Sequence, residues 1–321
     1  MGFLTASISN AGGRAANEDY AGSEELGSAG CWVVADGLGG HGGGATASRL
    51  AVDAVLASFR ANPNVTPEAL SAHLAAAHAA ILRQQSEPAL SQMRSTIVVL
   101  LADETTAVCG HIGDSRLYHF QAGTVGFQTI DHSVPGALAA GGSIPFDAIR
   151  FHEDRNKVLR SLGNDGEDKP AITERSLSQG DLFLLCTDGF WENVTELEME
   201  ADAAKAPAPG DWLKLMASRL FRRAKPDNDN FTALAVFFRS PTAPVARRGG
   251  NNGGKERRWF SLAEKLSWMA IAVLTLTLAV SLAAVLFPRE ALRLIDRARG
   301  LSPHGSAVQR QDNTGRQKPV K

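Results

Sequence analysis

The chain has 321 residues, of which 44% are hydrophobic and 21% charged, a composition typical of a globular protein with a sizeable core. Its net charge of -1 conceals an asymmetry, because residues 1–240 carry 19 Lys and Arg against 29 Asp and Glu, whereas residues 241–321 carry 14 against 5. The acidic first part argues against a nucleic-acid-binding surface there and favours carboxylates gathered around cations.

The three cysteines indicate a reducing compartment. Cys31, Cys109 and Cys186 each lie in an apolar, strand-like run, and no C-x-x-C motif is present. The first residues show neither a cationic segment nor an apolar one of the secretory type. We therefore expect reduced core thiols and a cytosolic location for this part of the chain.

The first predicted element in chain order is a strand at 31–35, followed by the glycine-rich sequence GLGGHG at 37–42. A G-x-G-x-x-G between a strand and an alanine-rich helix is typical of dinucleotide binding. Asp36 opposes that interpretation, because a carboxylate disfavours a pyrophosphate at a helix N-terminus. The expected acidic strand end about 20 residues later is also missing, since Asp53 falls within the helical stretch. Two alternatives stay open here, a dinucleotide loop or a metal-binding aspartate.

The elements that follow predict an α+β fold. An i, i+3, i+4, i+7 stripe at 52–59 and apolar spacing over 67–85 predict two helices. Apolar runs then predict buried strands at 96–102, 182–186 and 231–238, with a further pair within 106–120. Strands that follow one another without alternating helices favour an antiparallel, mixed architecture.

Four of these runs have an aspartate at one end: Asp36, Asp114, Asp188 and Asp229. Strand ends project side chains from rigid elements, so several carboxylates together can surround one ion. A single Asp-Gly pair is usually only a turn. Four such residues in an acidic domain favour a metal site.

The motifs, taken together and in order, resemble a known family. They are GGRAANED (12–19), VADGLGGHGGG (34–44), GHIGDSRLY (110–118), DHSVP (131–135), LRSLG (159–163), LLCTDGFWENV (184–194) and DNDNFTALAV (227–236). This set is similar to the bacterial branch of the type 2C metal-dependent Ser/Thr protein phosphatases. The resemblance implies a four-layer α-β-β-α sandwich, in which two antiparallel sheets are flanked by helices, over residues 1–240.

The resemblance also implies a two-metal centre. One ion takes Glu18, Asp36 and the Gly37 carbonyl, and the other takes Asp36, Asp188 and Asp229. Asp19 orients water and Arg14 binds phosphate, while Asp114 and Glu192 correspond to a weaker third-metal site. His41 is the candidate general acid, because Leu38 stands where animal members carry a histidine. The segment 134–158 corresponds to a flap beside the site.

The ligand chemistry agrees with this family. Oxygen ligands without a His or Cys cluster select Mn²⁺ or Mg²⁺ over zinc. Two such ions hold a bridging hydroxide for direct attack on phosphoserine or phosphothreonine, which needs no covalent intermediate. We expect phosphorylated proteins, and a Ser/Thr kinase with its substrates, as partners, and no nucleic acid. The alternative is a catalytically weak module that binds phosphoproteins on the same scaffold.

The C-terminal part predicts a membrane anchor. Residues 241–266 have the composition of a flexible basic linker, residues 267–288 contain no charge, and residues 289–321 form a short basic tail that we expect to be disordered at its end. An uncharged segment of this length predicts one transmembrane helix. The distribution of Lys and Arg favours a cytoplasmic catalytic domain on the inner membrane.

Overall fold

The computed structural model describes residues 2–39, 43–164, 166 and 169–239. Among these residues, the strands in chain order are β1 (Gly2–Asn10), β2 (Asp19–Leu26), β3 (Ala29–Leu38), β4 (Arg94–Ser95), β5 (Ile97–Ala102), β6 (Thr106–Ile112), β7 (Arg116–Gln121), β8 (Thr124–Gln128), β9 (Ala171–Ser176), β10 (Leu182–Cys186) and β11 (Phe231–Arg239). The α-helices are α1 (Gly43–Ala61), α2 (Pro67–Gln84), α3 (Val134–Ala140), α4 (Asp188–Trp191), α5 (Glu196–Ala203) and α6 (Pro209–Arg223). Short 3₁₀ helices occupy Pro88–Leu90 and Phe146–Phe151.

The strands form two antiparallel sheets. The first has the order β1-β11-β10-β7-β8, and the second has the order β2-β3-β5-β6-β9, with β4 paired to β3. Every pairing is antiparallel. The predicted α+β class with two antiparallel sheets is confirmed.

Three layers of buried side chains hold the sandwich together. A central layer between the sheets contains Trp32 and Leu234, while outer layers join the second sheet to α1 and α2 and the first sheet to α6. Strand β3 contributes to two of them, since Trp32 faces the central layer and Cys31 and Val33 face α1. A strand covered on both faces has no polar alternation, which explains its uninterrupted apolar sequence.

Local signals set the ends of the helices. Thr66 caps α2, where its hydroxyl accepts the Ala69 N–H at 3.2 Å and Pro67 occupies the first turn. Helix α5 begins with a capping box between Thr195 and Glu198. The predicted helix at 52–59 lies within α1, and the one at 67–85 is confirmed by α2, which ends one residue earlier.

Several expectations lie outside the described residues. They are His41, the linker at 241–266, the transmembrane helix at 267–288 and the tail at 289–321. Of the helices that the structure does describe, none is long and apolar enough to cross a bilayer.

Candidate metal centre

One cavity of about 440 Å³ brings together acidic residues from distant parts of the chain. Its carboxylates are Glu18, Asp36, Asp114, Asp188 and Asp229. They come from the loop before β2, from β3, from the β6–β7 turn, from the start of α4 and from the segment before β11. Asp36 lies two residues inside β3 and not at its end, a small correction to the strand-end prediction.

Hydroxyl residues beside β5 hold the backbone of Asp36. Its N–H donates to Thr96 Oγ1 at 3.2 Å, and its carbonyl accepts from Ser95 Oγ at 2.9 Å and from the Thr96 N–H at 2.8 Å. Thr96 Oγ1 also lies 2.7 Å from Ser115 Oγ. Asp36 therefore has a defined position relative to the β6–β7 turn. Sequence reasoning missed these supports, although small hydroxyl residues directly before a buried strand were a visible signal.

The glycines after Asp36 allow close backbone packing. A Cβ on Gly37 would lie 2.0 Å from the Gly44 carbonyl oxygen, and one on Gly44 would lie 2.7 Å from Glu18 Cδ and from the Gly37 carbonyl oxygen. The first turn of α1 thus packs against two groups that the family resemblance assigns to one ion. The N–H groups at the start of a helix carry partial positive charge, so the first turn of α1 also stabilises the negative charge of the Glu18 carboxylate. Gly37 and Gly44 therefore pack beside the carboxylates, which favours the metal-site interpretation over a dinucleotide loop.

Asn230 organises the loop that carries Glu18. Its side-chain oxygen accepts the Glu18 N–H at 2.8 Å, and its amide donates to the carbonyls of Ala11 at 2.8 Å and Ala16 at 3.0 Å. A single buried amide therefore joins the segment before β11 to the loop before β2. Asn230 thus acts through hydrogen bonds to the backbone of a distant segment.

The carboxylates raise one another's pKa. Desolvation, followed by the charges of Asp19 and Asp188, raises the pKa of Asp36 well above its ordinary value. Desolvation and then the charge of Asp114 do the same for Asp188. Burial raises the pKa of Glu18, the charge of Asp229 adds to this, and Arg14 opposes it. Such a cluster is costly without cations, so its chemistry fits hard divalent ions.

Asp19 lies beside this cavity and has a buried oxygen without a partner. The residue is 5% exposed and stands opposite Asp36 in the β2–β3 ladder. Its Oδ2 accepts from Thr187 Oγ1 at 2.8 Å, whereas Oδ1 makes no hydrogen bond. Burial raises the pKa of Asp19 to about 7. An acceptor of this kind suits the predicted role of orienting water.

Arg14 stands at the mouth of the cavity, where Nη2 donates to Asp229 Oδ2 at 2.9 Å. Its loop is pressed against the segment before β11, because a Cβ on Gly12 would lie 2.2 Å from the Asp229 carbonyl oxygen. Gly12 has a φ of +61°, a conformation that favours glycine. The Arg14 side chain is 55% exposed, so its guanidinium is accessible to an incoming phosphoryl group.

The two residues predicted for a third ion line different cavities. Asp114 lines the main cavity, whereas Glu192 lines an adjoining one. Arg155 places its Nε 2.8 Å from Glu192 Oε1. Burial raises the pKa of Asp114 to about 7, and the charge of Asp131 adds to this effect. A third metal site at these residues stays a prediction.

A buried ion pair behind the cavity was not predicted. Arg116 makes two 2.8 Å hydrogen bonds to the Asp131 carboxylate, and its guanidinium lies 3.5 Å from the centre of the Trp191 ring. Trp191 donates its indole N–H to the Asp114 carbonyl at 3.0 Å. Because Trp191 ends the helix that starts at Asp188, this network supports two carboxylates of the cavity.

The predicted flap carries more structure than a plain loop, since it contains α3 and the 3₁₀ helix Phe146–Phe151. Its last residues return to the site, where Asn156 and Val158 line the main cavity. A bridge between Ser133 and Val158 holds this end in place. Neither lining residue has an ionisable side chain, so the sequence offered no signal for them.

The residues present fit divalent ions by their donor set, their mutual electrostatics and the orphaned Asp19 oxygen. The carboxylates line a common space. Within the described ranges, no three His, Cys, Asp or Glu side chains are close enough together to ligate one ion as they stand. The fold and the site together define a class, a two-sheet antiparallel sandwich with a carboxylate-lined cavity.

The comparisons identify the family. Residues 9–233 match the model described as Protein phosphatase 2C, and the chain belongs to that family. It is 32% identical over 219 residues to the serine/threonine protein phosphatase PstP of Mycobacterium tuberculosis, which covers 67% of this chain and 41% of PstP. It is also 32% identical over 174 residues to the serine/threonine phosphatase stp of Listeria welshimeri. This match covers 52% of this chain and 69% of the Listeria protein.

Solved structures agree with the fold. The crystal structure of M. tuberculosis PstP/Ppp superposes with a TM-score of 0.66 at 28% identity and covers 74% of this chain and 99% of that one. The PstP catalytic domain in complex with two manganese ions gives a TM-score of 0.64 at 27% identity, with coverage of 74% and 99%. The chain spans about two fifths of the length of PstP itself, 41%.

Proposed function

We propose that the chain is a metal-dependent protein serine/threonine phosphatase that hydrolyses phosphoserine and phosphothreonine. The observation that carries this proposal is the set of five carboxylates lining one cavity, in a chain of the protein phosphatase 2C family. Relatives named as serine/threonine phosphatases, and a manganese-bound PstP structure, support it.

In this proposal, the chain's own residues hold two divalent cations, Mn²⁺ or Mg²⁺. Glu18, Asp36 and the Gly37 carbonyl hold one ion, and Asp36, Asp188 and Asp229 hold the other. When bound, such ions lower the pKa of water and neutralise phosphoryl charge.

The remaining residues position the reactants. The planar fork of Arg14 binds two phosphoryl oxygens and orients the phosphorus. Asp19 Oδ1 accepts a hydrogen bond from the attacking water and aligns it. Asn156 and Val158 of the flap line the cavity and limit access of bulk water on that side. His41 is the proposed donor of the proton to the leaving oxygen.

Titration of Mn²⁺ against hydrolysis of p-nitrophenyl phosphate and of a phosphothreonine peptide tests the proposal. Asp36→Asn should reduce turnover by about 10²- to 10³-fold and weaken Mn²⁺ binding in calorimetry, because it removes an anionic ligand from a preorganised site. Asp53→Asn is the matched control, since Asp53 is exposed on α1. A folded Asp36→Asn protein with the turnover of the control would refute the mechanism. Phosphopeptide binding without metal-dependent hydrolysis in the wild type would favour the binding-module alternative.

We also propose that residues 267–288 anchor the enzyme at the cytoplasmic face of the inner membrane, close to a Ser/Thr kinase and its substrates. The segment has 22 uncharged residues, which at about 1.5 Å per residue span roughly 33 Å of helix. Six basic residues precede it and four follow it, namely Arg247, Arg248, Lys255, Arg257, Arg258 and Lys265, then Arg289, Arg293, Arg297 and Arg299. The positive-inside rule therefore favours a cytoplasmic domain by a narrow margin.

Alkaline carbonate extraction of membranes tests the anchor. Full-length protein should stay in the pellet, whereas a chain ending at residue 240 should be released. Full-length protein in the soluble fraction would refute the anchor. A reporter fused to Met1 that is active only in the periplasm would refute the orientation.

A further inference from the structure

A second polar cavity, of about 320 Å³, adjoins the cavity of the metal centre. The two cavities share Arg14, Asn156, Asp188 and Asp229 in their walls. A peptide whose phosphoryl group lies over the carboxylates therefore has a neighbouring residue within reach of this second space. Its volume suits one side chain together with a few waters of about 30 Å³ each.

The wall of this second cavity gathers four cations in a domain that is acidic as a whole. Its cations are Arg14, Arg155, Arg223 and Lys225. Once Asp188 and Asp229 are assigned to the metal ions, only Glu192 and Asp227 oppose these four charges. On that assignment, which rests on the proposed function, the wall has more cations than carboxylates.

Three of the four cations are already engaged. Their partners are Asp229 for Arg14 at 2.9 Å, Glu192 for Arg155 at 2.8 Å and Glu198 for Arg223 at 2.5 Å. Lys225 is exposed and makes no ion pair within the described part of the chain. Its ammonium is therefore the cation left to bind an added anion.

The segment that carries Lys225 is held against the loop of Arg14. The Gly13 N–H donates to the Asn228 carbonyl at 2.8 Å, and a Cβ on Gly13 would lie 2.0 Å from the Pro226 carbonyl oxygen. The Asn228 N–H closes the turn on the Lys225 carbonyl at 3.0 Å. The phosphate-binding arginine and Lys225 thus belong to one packed unit, which sets their separation.

We propose that this cavity is a specificity subsite for an anionic side chain that flanks the phosphorylated residue of a substrate, with Lys225 as its binding cation. The anion is a carboxylate or a second phosphate, since both accept charge-assisted hydrogen bonds from an ammonium. The inference rests on the proposed phosphatase function and names the class of substrate that the site prefers.

Phosphothreonine peptides test the subsite in the full-length protein with Mn²⁺. One peptide is neutral, and the others carry a single glutamate or a single phosphoserine one, two or three residues to either side. At one of these positions, kcat/KM should exceed that of the neutral peptide by about fivefold, the upper range for an exposed ion pair, and the preference should shrink with added salt. The glutamate and phosphoserine series separate the two sources of charge.

The ratio of kcat/KM for anionic and neutral peptides is the readout, because damage to the metal centre lowers both rates and leaves their ratio. Lys225→Ala should bring the ratio close to one, and Lys225→Glu should invert it. Arg222→Ala is the matched control, because this exposed arginine donates to the Ser218 carbonyl and does not line the cavity. It should retain the wild-type ratio.

A wild-type ratio of one at every position would overturn the subsite, as would an unchanged ratio in Lys225→Glu. If no phosphopeptide or p-nitrophenyl phosphate is hydrolysed, the proposed function fails instead. In that case, fluorescence anisotropy with the same peptides, labelled, measures their binding to the wild type and to the same variants. Equal affinity of the wild type for anionic and neutral peptides would overturn the subsite independently of the proposed function.

Discussion

Removal of one partner from the buried ion pair between Arg116 and Asp131 should strongly destabilise this domain. Their side chains are 3% and 1% exposed, and two hydrogen bonds of 2.8 Å join them. Arg116→Met leaves the Asp131 carboxylate buried without its counter-charge, which typically costs about 3–5 kcal/mol. A domain of this size has roughly 5–15 kcal/mol of unfolding free energy, so we expect a fall in Tm of roughly 10 °C.

Urea unfolding followed by tryptophan fluorescence measures this loss. The double variant Arg116→Met/Asp131→Leu should recover most of it, because apolar replacement of a buried pair is close to neutral. Lys157→Met is the control, since it removes the exposed pair with Asp154 and should leave the midpoint nearly unchanged. A loss below about 1 kcal/mol in Arg116→Met, or a double variant no more stable than this single one, would refute the reasoning.

The same network should support function, because Arg116 lies 3.5 Å from the Trp191 ring and Trp191 is bonded to the Asp114 carbonyl. Support of this kind behind metal ligands is typically worth about 10- to 100-fold in metal affinity. Calorimetry of Mn²⁺ binding should therefore show weaker binding in Arg116→Met. An unchanged Mn²⁺ affinity in Arg116→Met would show that this network does not support metal binding.

Three further predictions follow from the site. Burial raises the pKa of Asp19 and of Asp114 from 3.8 to about 7, so between these values the metal-free fold holds more protons than the unfolded chain and loses stability as pH rises. Melts of metal-free protein at pH 5 and 7.5 check this, and a higher Tm at pH 7.5 would contradict it. Asp114→Ala should lower activity mainly at limiting metal, and loss of two strongly bound ions in calorimetry would disprove that division of roles. Gly13→Ala places a methyl group 2.0 Å from the Pro226 carbonyl oxygen and should cost about 1–3 kcal/mol, whereas Gly2→Ala meets no atom within 4 Å; equal stability of the two would argue against the close packing.

The sequence predicts well the strands that are buried on both faces and the helices with regular apolar spacing. The strands at 182–186 and 231–238 coincide with β10 and with most of β11, and the helix at 67–85 matches α2. Strands at the sheet edges were missed, including β1, whose side chains are mostly half-buried or exposed. An edge strand takes its conformation from pairing with its neighbour, so its own pattern is weak. The anchor at 267–288 and the general acid His41 stay predictions.

The sequence by itself determined which residue types the proposed site draws on. These residue types form local patterns: carboxylates next to apolar runs, glycines after Asp36 and an arginine in GGRAANED. A local pattern can be recognised from the sequence without knowledge of the fold. Only the tertiary structure decided which residues meet. Arg14 and Asp229 are 215 positions apart and lie 2.9 Å from each other, and Lys225 joins the same unit through Gly13. The Arg116–Asp131 pair and the flap residue Asn156 acquire their roles from packing between layers, because burial and proximity are properties of the folded sandwich and no short stretch of sequence encodes them.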